Sequence, residues 1–138
     1  MVLVINGDPV AQGRPKFTVR GGRVWAYDPQ KSREYKEYVK MIAMQWWGRK
    51  PPMEGALSMS VKVFVPIPSS FSKKDRQDAI SGMKRPVGKP DLENFCKGAT
   101  DALEGVVFKN DSQIVAHHEP FGKWYGDRPR IEIEFKEI

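Results

Sequence analysis

The stretch Lys89-Pro90-Asp91-Leu92-Glu93-Asn94-Phe95-Cys96-Lys97-Gly98-Ala99-Thr100-Asp101-Ala102-Leu103 separates its side chains into two kinds. Proline disfavours helix in the residue before it, so a helix is predicted to begin near Asp91. At about 100° per residue, Glu93, Asn94, Lys97 and Asp101 fall on one side and Phe95, Cys96, Ala99, Ala102 and Leu103 on the other. A further acid, Asp111, stands just before a predicted strand at Ile114. Short connections join spatial neighbours, so Asp91, Glu93 and Asp111 are expected to converge. Three carboxylates repel by about 4 kcal/mol per pair at about 4 Å and an effective dielectric near 20. A hard divalent cation relieves that repulsion, and oxygen ligands suit Mg²⁺, with Mn²⁺ an alternative.

The same residues have an ordinary structural explanation. Asp91 suits an N-cap, and Glu93 in the first turn complements the helix dipole. Glu93 with Lys97, and Lys97 with Asp101, are commonplace i,i+4 pairs contributing about 0.2–0.5 kcal/mol each. Spacing alone does not make a metal site, so the surroundings must decide.

Those surroundings are basic. The chain carries 23 Lys and Arg against 17 Asp and Glu, a net charge of +6. Arg14, Lys16, Arg20 and Arg23 form one cluster, Lys73, Lys74 and Arg76 a second, and Lys84, Arg85 and Lys89 a third. Lysines in the first turn of a helix oppose its dipole by roughly 0.3–1 kcal/mol each when exposed, a penalty that a phosphate would reverse. A polyanionic partner is favoured, against the alternative of a solvated, mobile loop.

The elements that must hold these residues are those of a single domain over residues 1–138 of mixed α+β class. Val2 to Ile5 reads as a strand. Arg14–Arg20 and Arg23–Tyr27 read as a hairpin around Gly21-Gly22, where both turn positions need positive φ. Asp28 as N-cap and Pro29 at the first helical position open a long helix. Its inner face is Tyr35, Tyr38, Val39, Ile42 and Trp46, and it ends at Gly48. Leu57, Met59, Val61, Val63 and Val65 alternate with polar residues as a strand does. Ser72 caps a short helix through Ile80, and two further strands occupy 114–118 and 131–135. The stretch 122–129 between them reads as a long hairpin loop. A mixed sheet with the long helix and the motif-bearing helix packed on it is the expected architecture.

No apolar run reaches the length of a membrane span, and the opening residues lack the form of a signal peptide. A lone Cys96 cannot form an internal disulfide, so a cytoplasmic protein is expected. Cys96 reads as a small core residue, and His117 and His118 lack zinc-ligand spacing and read as structural. Trp25 and Tyr27 suit packing or DNA contact equally.

The run Pro90-Asp91-Leu92-Glu93-Asn94-Phe95-Cys96-Lys97, then Asp101-Ala102-Leu103, then Asn110-Asp111-Ser112-Gln113-Ile114-Val115, resembles the signature of RusA-like Holliday-junction resolvases. The opening Gly7-Asp8-Pro9-Val10-Ala11-Gln12-Gly13-Arg14-Pro15-Lys16 resembles the family's N-terminal segment. Glu93 departs from the usual aspartate, and Asn110 replaces the first of the usual aspartate pair. The resemblance implies Asp91, Glu93 and Asp111 as metal ligands and an essential Lys97, on the scissile phosphate or holding a carboxylate in place. Asn94, Asn110 and Asp101 would stand behind the ligands, Asn94 orienting Glu93, Asn110 tuning the site and Asp101 pairing with Lys97. It implies paired symmetric nicks in a four-way junction, 5′-phosphate and 3′-hydroxyl ends, and a homodimer whose two-fold axis matches that of the junction. Two rivals remain. One is a non-catalytic branched-DNA-binding protein of the same fold. The other is a sugar-nucleotide transferase, disfavoured by the lack of a nucleotide-binding βαβ unit.

Overall fold

Strand alternation at Leu57–Val65 builds the centre of the molecule. The computed structural model describes residues 2–13, 16–27 and 30–138, and at 16–18, 20 and 25–27 the backbone alone. In chain order the elements are β1 (Val2–Asn6), β2 (Lys16–Arg20), β3 (Arg23–Tyr27), α1 (Gln30–Trp47), β4 (Leu57–Pro66) and α2 (Lys73–Ser81). There follow α3 (Leu92–Leu103), a 3-10 turn at Asp111–Gln113, β5 (Ile114–His117), β6 (Gly122–Gly126) and β7 (Arg130–Glu137). β7 pairs antiparallel with both β1 and β4. On the other edge of β4, β5 pairs parallel with its start and β6 parallel with its end.

One apolar core joins these layers. Leu57, Met59, Val61 and Val63 of β4, Ile131 and Ile133 of β7, and Leu3 and Ile5 of β1 are buried with Tyr35, Val39 and Ala43 of α1 and Phe95, Ala99 and Leu103 of α3. Each large side chain so buried stabilises the fold by roughly 1.5–3 kcal/mol. α1 packs on α3 and β1. Its inner face is narrower than the periodicity suggests: Tyr38 is half out in solvent, and its hydroxyl donates to the Asn6 carbonyl at 2.9 Å. No helix among the described residues is long and apolar enough to cross a membrane.

Local signals did their expected work at several places. β2 and β3 pair antiparallel around Gly21 and Gly22, whose φ angles of 57° and 75° are those a two-residue turn requires. Ser72 caps α2, accepting from the Asp75 N–H at 3.1 Å. The proposed capping by Asp28 and Pro29 lies outside the described residues.

One expectation needs correction. The stretch read as a loop at 122–129 contains β6, in which Lys123, Trp124 and Tyr125 lie opposite Val63, Phe64 and Val65. Flanking glycines and a short span hide this strand, because its register comes from β4 and not from its own alternation. The polar face of β4 is covered at its start: Ser58 and Ser60 are 9% and 4% exposed. The 118–120 connection folds over them, so Ser60 Oγ donates to the Pro120 carbonyl and Ser58 Oγ meets His118 Nδ1 at 2.7 Å.

Candidate active site and nucleic-acid interface

At the head of α3 the backbone does the capping and the carboxylate does not. Asp91 is the N-cap residue in extended conformation, and its carbonyl accepts from the Asn94 and Phe95 N–H groups at 3.1 and 3.3 Å. Its side chain makes no capping hydrogen bond. Glu93, Asn94 and Lys97 are exposed one turn along, while Phe95, Cys96 and Ala99 are buried beneath them. Among the described residues no hydrogen bond or ion pair engages the side chains of Asp91, Glu93 or Lys97. Of the ordinary explanation, the side-chain cap and the i,i+4 pairs do not form, while Glu93 keeps its place in the first turn, where it complements the helix dipole.

The Pro9–Gly13 segment crosses α3 beside this helix end. Its Gln12 N–H donates to the Asn94 carbonyl at 3.0 Å, and Gly13 N–H to the buried Ser32 hydroxyl at 2.9 Å. The crossing is close at Gly98, where a Cβ would just touch the Gln12 nitrogen at 3.4 Å. Between the crossing segment and the 88–91 loop lies an open cleft of about 640 Å³, with Asp91, Asn94, Lys31 and Lys89 on its walls. Lys31 escaped the sequence reading, because one lysine on a charged helix face carries no signal.

Asp111 does not join Asp91 and Glu93 within the chain. Its backbone N–H donates to Glu104 Oε1 at 3.3 Å, beyond the far end of the 12-residue α3. At about 1.5 Å per residue that helix alone separates the two acids by about 18 Å. The sheet gives the same answer. Lys123, which touches the Pro90 carbonyl, lies opposite Val63, whereas Ile114 lies opposite Leu57 near the other end of β4. Short connections did bring the chain back to the helix, but to its end and not to its beginning. Accordingly, no group of three His, Cys, Asp or Glu able to hold a metal ion occurs among the described residues.

The other proposed helpers are also placed. Asp101 pairs with Lys36 of α1 at 3.5 Å instead of with Lys97, because the helix packing turns it toward that neighbour. Among the described residues the Asn94 side chain makes no hydrogen bond to Glu93; its backbone carbonyl accepts from the Gln12 N–H. Asn110 caps the 3-10 turn, accepting from the Ser112 N–H at 2.9 Å. Gln113 locks the same turn: its Oε1 accepts from the Lys109 and Asn110 N–H groups, and its Nε2 donates to the Met53 and Gly55 carbonyls.

Of the basic residues, Lys73, Lys74 and Arg76 are exposed on α2, Arg23 is exposed beside the hairpin turn, and Lys89 is exposed at the cleft. Lys84 stands 3.9 Å from Asp75 and over the Phe71 ring. Arg85 has a structural engagement: its Nε donates to the Lys123 carbonyl at 2.6 Å and its guanidinium lies 4.2 Å from the Trp124 ring centre. Arg14, and the side chains of Lys16, Arg20, Trp25 and Tyr27, lie outside the described residues.

His118 ties the sheet together, its Nε2 meeting Glu134 Oε1 at 3.2 Å, and that hydrogen bond holds the Glu134 carboxyl below its ordinary value. His117 stacks on Phe121 with ring centres 4.3 Å apart. Burial, with the neighbouring Glu93 carboxylate, pushes the Cys96 thiol up to about 12. Burial and the nearby Tyr38 likewise raise the Tyr35 phenol.

A mixed sheet with helices packed on it makes this a small α+β domain, with an exposed Asp-x-Glu and a lysine at the head of one helix. A family model described as "Endodeoxyribonuclease RusA" matches residues 6–136, and the chain belongs to that family of DNA nucleases. It is also 41% identical over 140 residues to an uncharacterized protein of Bacillus subtilis (strain 168), YqaN, covering 99% of this chain and 95% of that one.

Proposed function

We propose that the protein is a structure-selective DNA endonuclease that resolves Holliday junctions by paired symmetric nicks, acting as a homodimer with Mg²⁺, or Mn²⁺ in its place. The observation carrying this reading is the head of α3, in a chain of the RusA family: Asp91, at the wall of a cleft, and Glu93 and Lys97 stand exposed, their side chains without a hydrogen bond or ion pair among the described residues. In this reading Lys97, one turn beyond Glu93, holds the scissile phosphate, and Lys31 and Lys89 of the cleft wall guide the strand. Exposed Lys73, Lys74, Arg76 and Arg23 add affinity without reading sequence.

One chain does not supply a closed donor set for a single divalent ion, since Asp111 stands at the far end of α3. A second copy is then the natural source of the missing acid, and the two-fold symmetry of a four-way junction asks for the same dimer. That incomplete set also supports the rival reading, a branched-DNA-binding protein that does not cut.

The experiment is incubation of a synthetic four-way junction with the protein, with and without Mg²⁺, beside Asp91→Asn and Asp111→Asn. The expected outcome is Mg²⁺-stimulated paired nicking by the wild type, and junction binding without cutting by both variants. Binding without cutting by the wild type would establish the rival instead. Cutting by both variants would remove the site assignment.

A further inference from the structure

The loop from Gly82 to Pro90 delivers Asp91 to the cleft, yet apolar packing does little to hold it. Met83 and Val87 are 82% and 96% exposed. Behind the loop lies a recess of about 180 Å³ between Pro86, Gly88 and Pro90 on one side and Val65, Phe95 and Tyr125 on the other. Among the described residues, the hydrogen bonds that join this loop to the sheet all run through Lys123 of β6. Its ammonium donates to the Gly88 carbonyl at 2.8 Å and to the Pro90 carbonyl at 3.0 Å. Its own carbonyl accepts from Arg85 Nε at 2.6 Å, with the Arg85 guanidinium over the adjacent Trp124.

We infer that Lys123 is a positioning residue for the cutting site: its ammonium clamps the backbone on either side of Lys89 and so fixes where Asp91 presents its carboxylate. The inference rests on reading the head of α3 as that site. A lysine suits the task because two of its three N–H donors reach two carbonyls at once, and hydrogen bonds from a charged donor are about twice as strong as neutral ones. The clamped carbonyl of Pro90 immediately precedes Asp91, so its release moves the carboxylate directly. Misplacement by about 1 Å at a reacting centre costs about 100-fold in rate. Lys123 thereby acts through the backbone, in contrast to Lys89, which lines the cleft itself.

The test compares wild type, Lys123→Met and Lys123→Arg for junction binding, single-turnover cutting at saturating protein, and hydrogen exchange of the Val87–Lys89 and Asp91 amides. Lys123→Met is expected to cut about 10- to 100-fold more slowly, with junction affinity within about twofold of wild type. Its loop amides exchange faster, and Lys123→Arg restores a good part of both rate and protection. Wild-type cutting with unchanged exchange overturns the inference. So does weakened binding with an unchanged saturated rate, which would make Lys123 a DNA contact. Should Lys123→Met fail to fold, Lys123→Gln, able to reach one carbonyl, is measured in the same way. If the wild type cuts no junction, the functional reading fails, and unchanged exchange in the variants still overturns the clamp separately.

Discussion

Cys96 shows how one helix can carry reactive groups on one face and an inert one on the other. It is 8% exposed, and burial has raised its thiol far above neutral pH, so almost none is thiolate under ordinary conditions. A thiol reagent such as DTNB is expected to leave the native protein unlabelled at pH 7.5 and to label one thiol per chain in urea. Rapid native labelling would contradict the packing of α3. Glu132 argues for a different titration. Burial raises its carboxyl, but hydrogen bonds and charge from Arg130 and Lys62 outweigh that, and the net shift is downward. A carboxyl lowered in the folded state adds stability above its unfolded value, and that stability is lost as pH falls through the folded one. Thermal melts should therefore fall below about pH 4.5, with Glu134 contributing in the same window. Glu132→Gln should melt lower at neutral pH and show a shallower fall on acidification.

The 3-10 turn before β5 depends on a side chain rather than on backbone pairing. Four hydrogen bonds converge on the Gln113 amide from the Lys109 and Asn110 N–H groups and the Met53 and Gly55 carbonyls. Removing a side chain with such net contributions of about 1 kcal/mol per bond, most of them solvent-accessible, costs roughly 1–3 kcal/mol. Gln113→Ala should lower stability by that amount in urea titrations with little change in slope, and its effect on cutting should follow the displacement of Asp111. A loss under about 0.5 kcal/mol would mean that water replaces the amide at this turn. Asn110 belongs to the same account, since its side-chain oxygen satisfies the Ser112 N–H, a local duty that asparagine performs as well as aspartate.

At the scale of the molecule, the separation of Asp91 from Asp111 makes a dimer testable without a structure of one. Asp91→Asn and Asp111→Asn, each inactive alone, are mixed and allowed to exchange chains. If each site takes Asp91 from one chain and Asp111 from its partner, a mixed dimer keeps one intact site, and nicking of a single strand returns. If each chain holds its own three acids after rearrangement, no mixed dimer has an intact site and the mixture stays inactive. Recovery of single nicks, read on a denaturing gel with end-labelled junction, is the expected result.

Local sequence determined much of this protein. The two faces of α3, the glycine-driven turn between β2 and β3, the Ser72 cap and the alternation of β4 each follow from residues within a few positions of one another, where periodicity and turn chemistry act directly. The acidic helix head and its lysine were legible for the same reason. Tertiary structure decided which end of α3 meets Asp111, because chain order says that two segments are neighbours without saying which end touches which. It decided that Asp101 pairs with Lys36, that β6 is a strand, and that Lys123 holds the loop before Asp91. Those outcomes depend on partners distant in the chain, set by helix packing and sheet register, and no spacing within a segment encodes them.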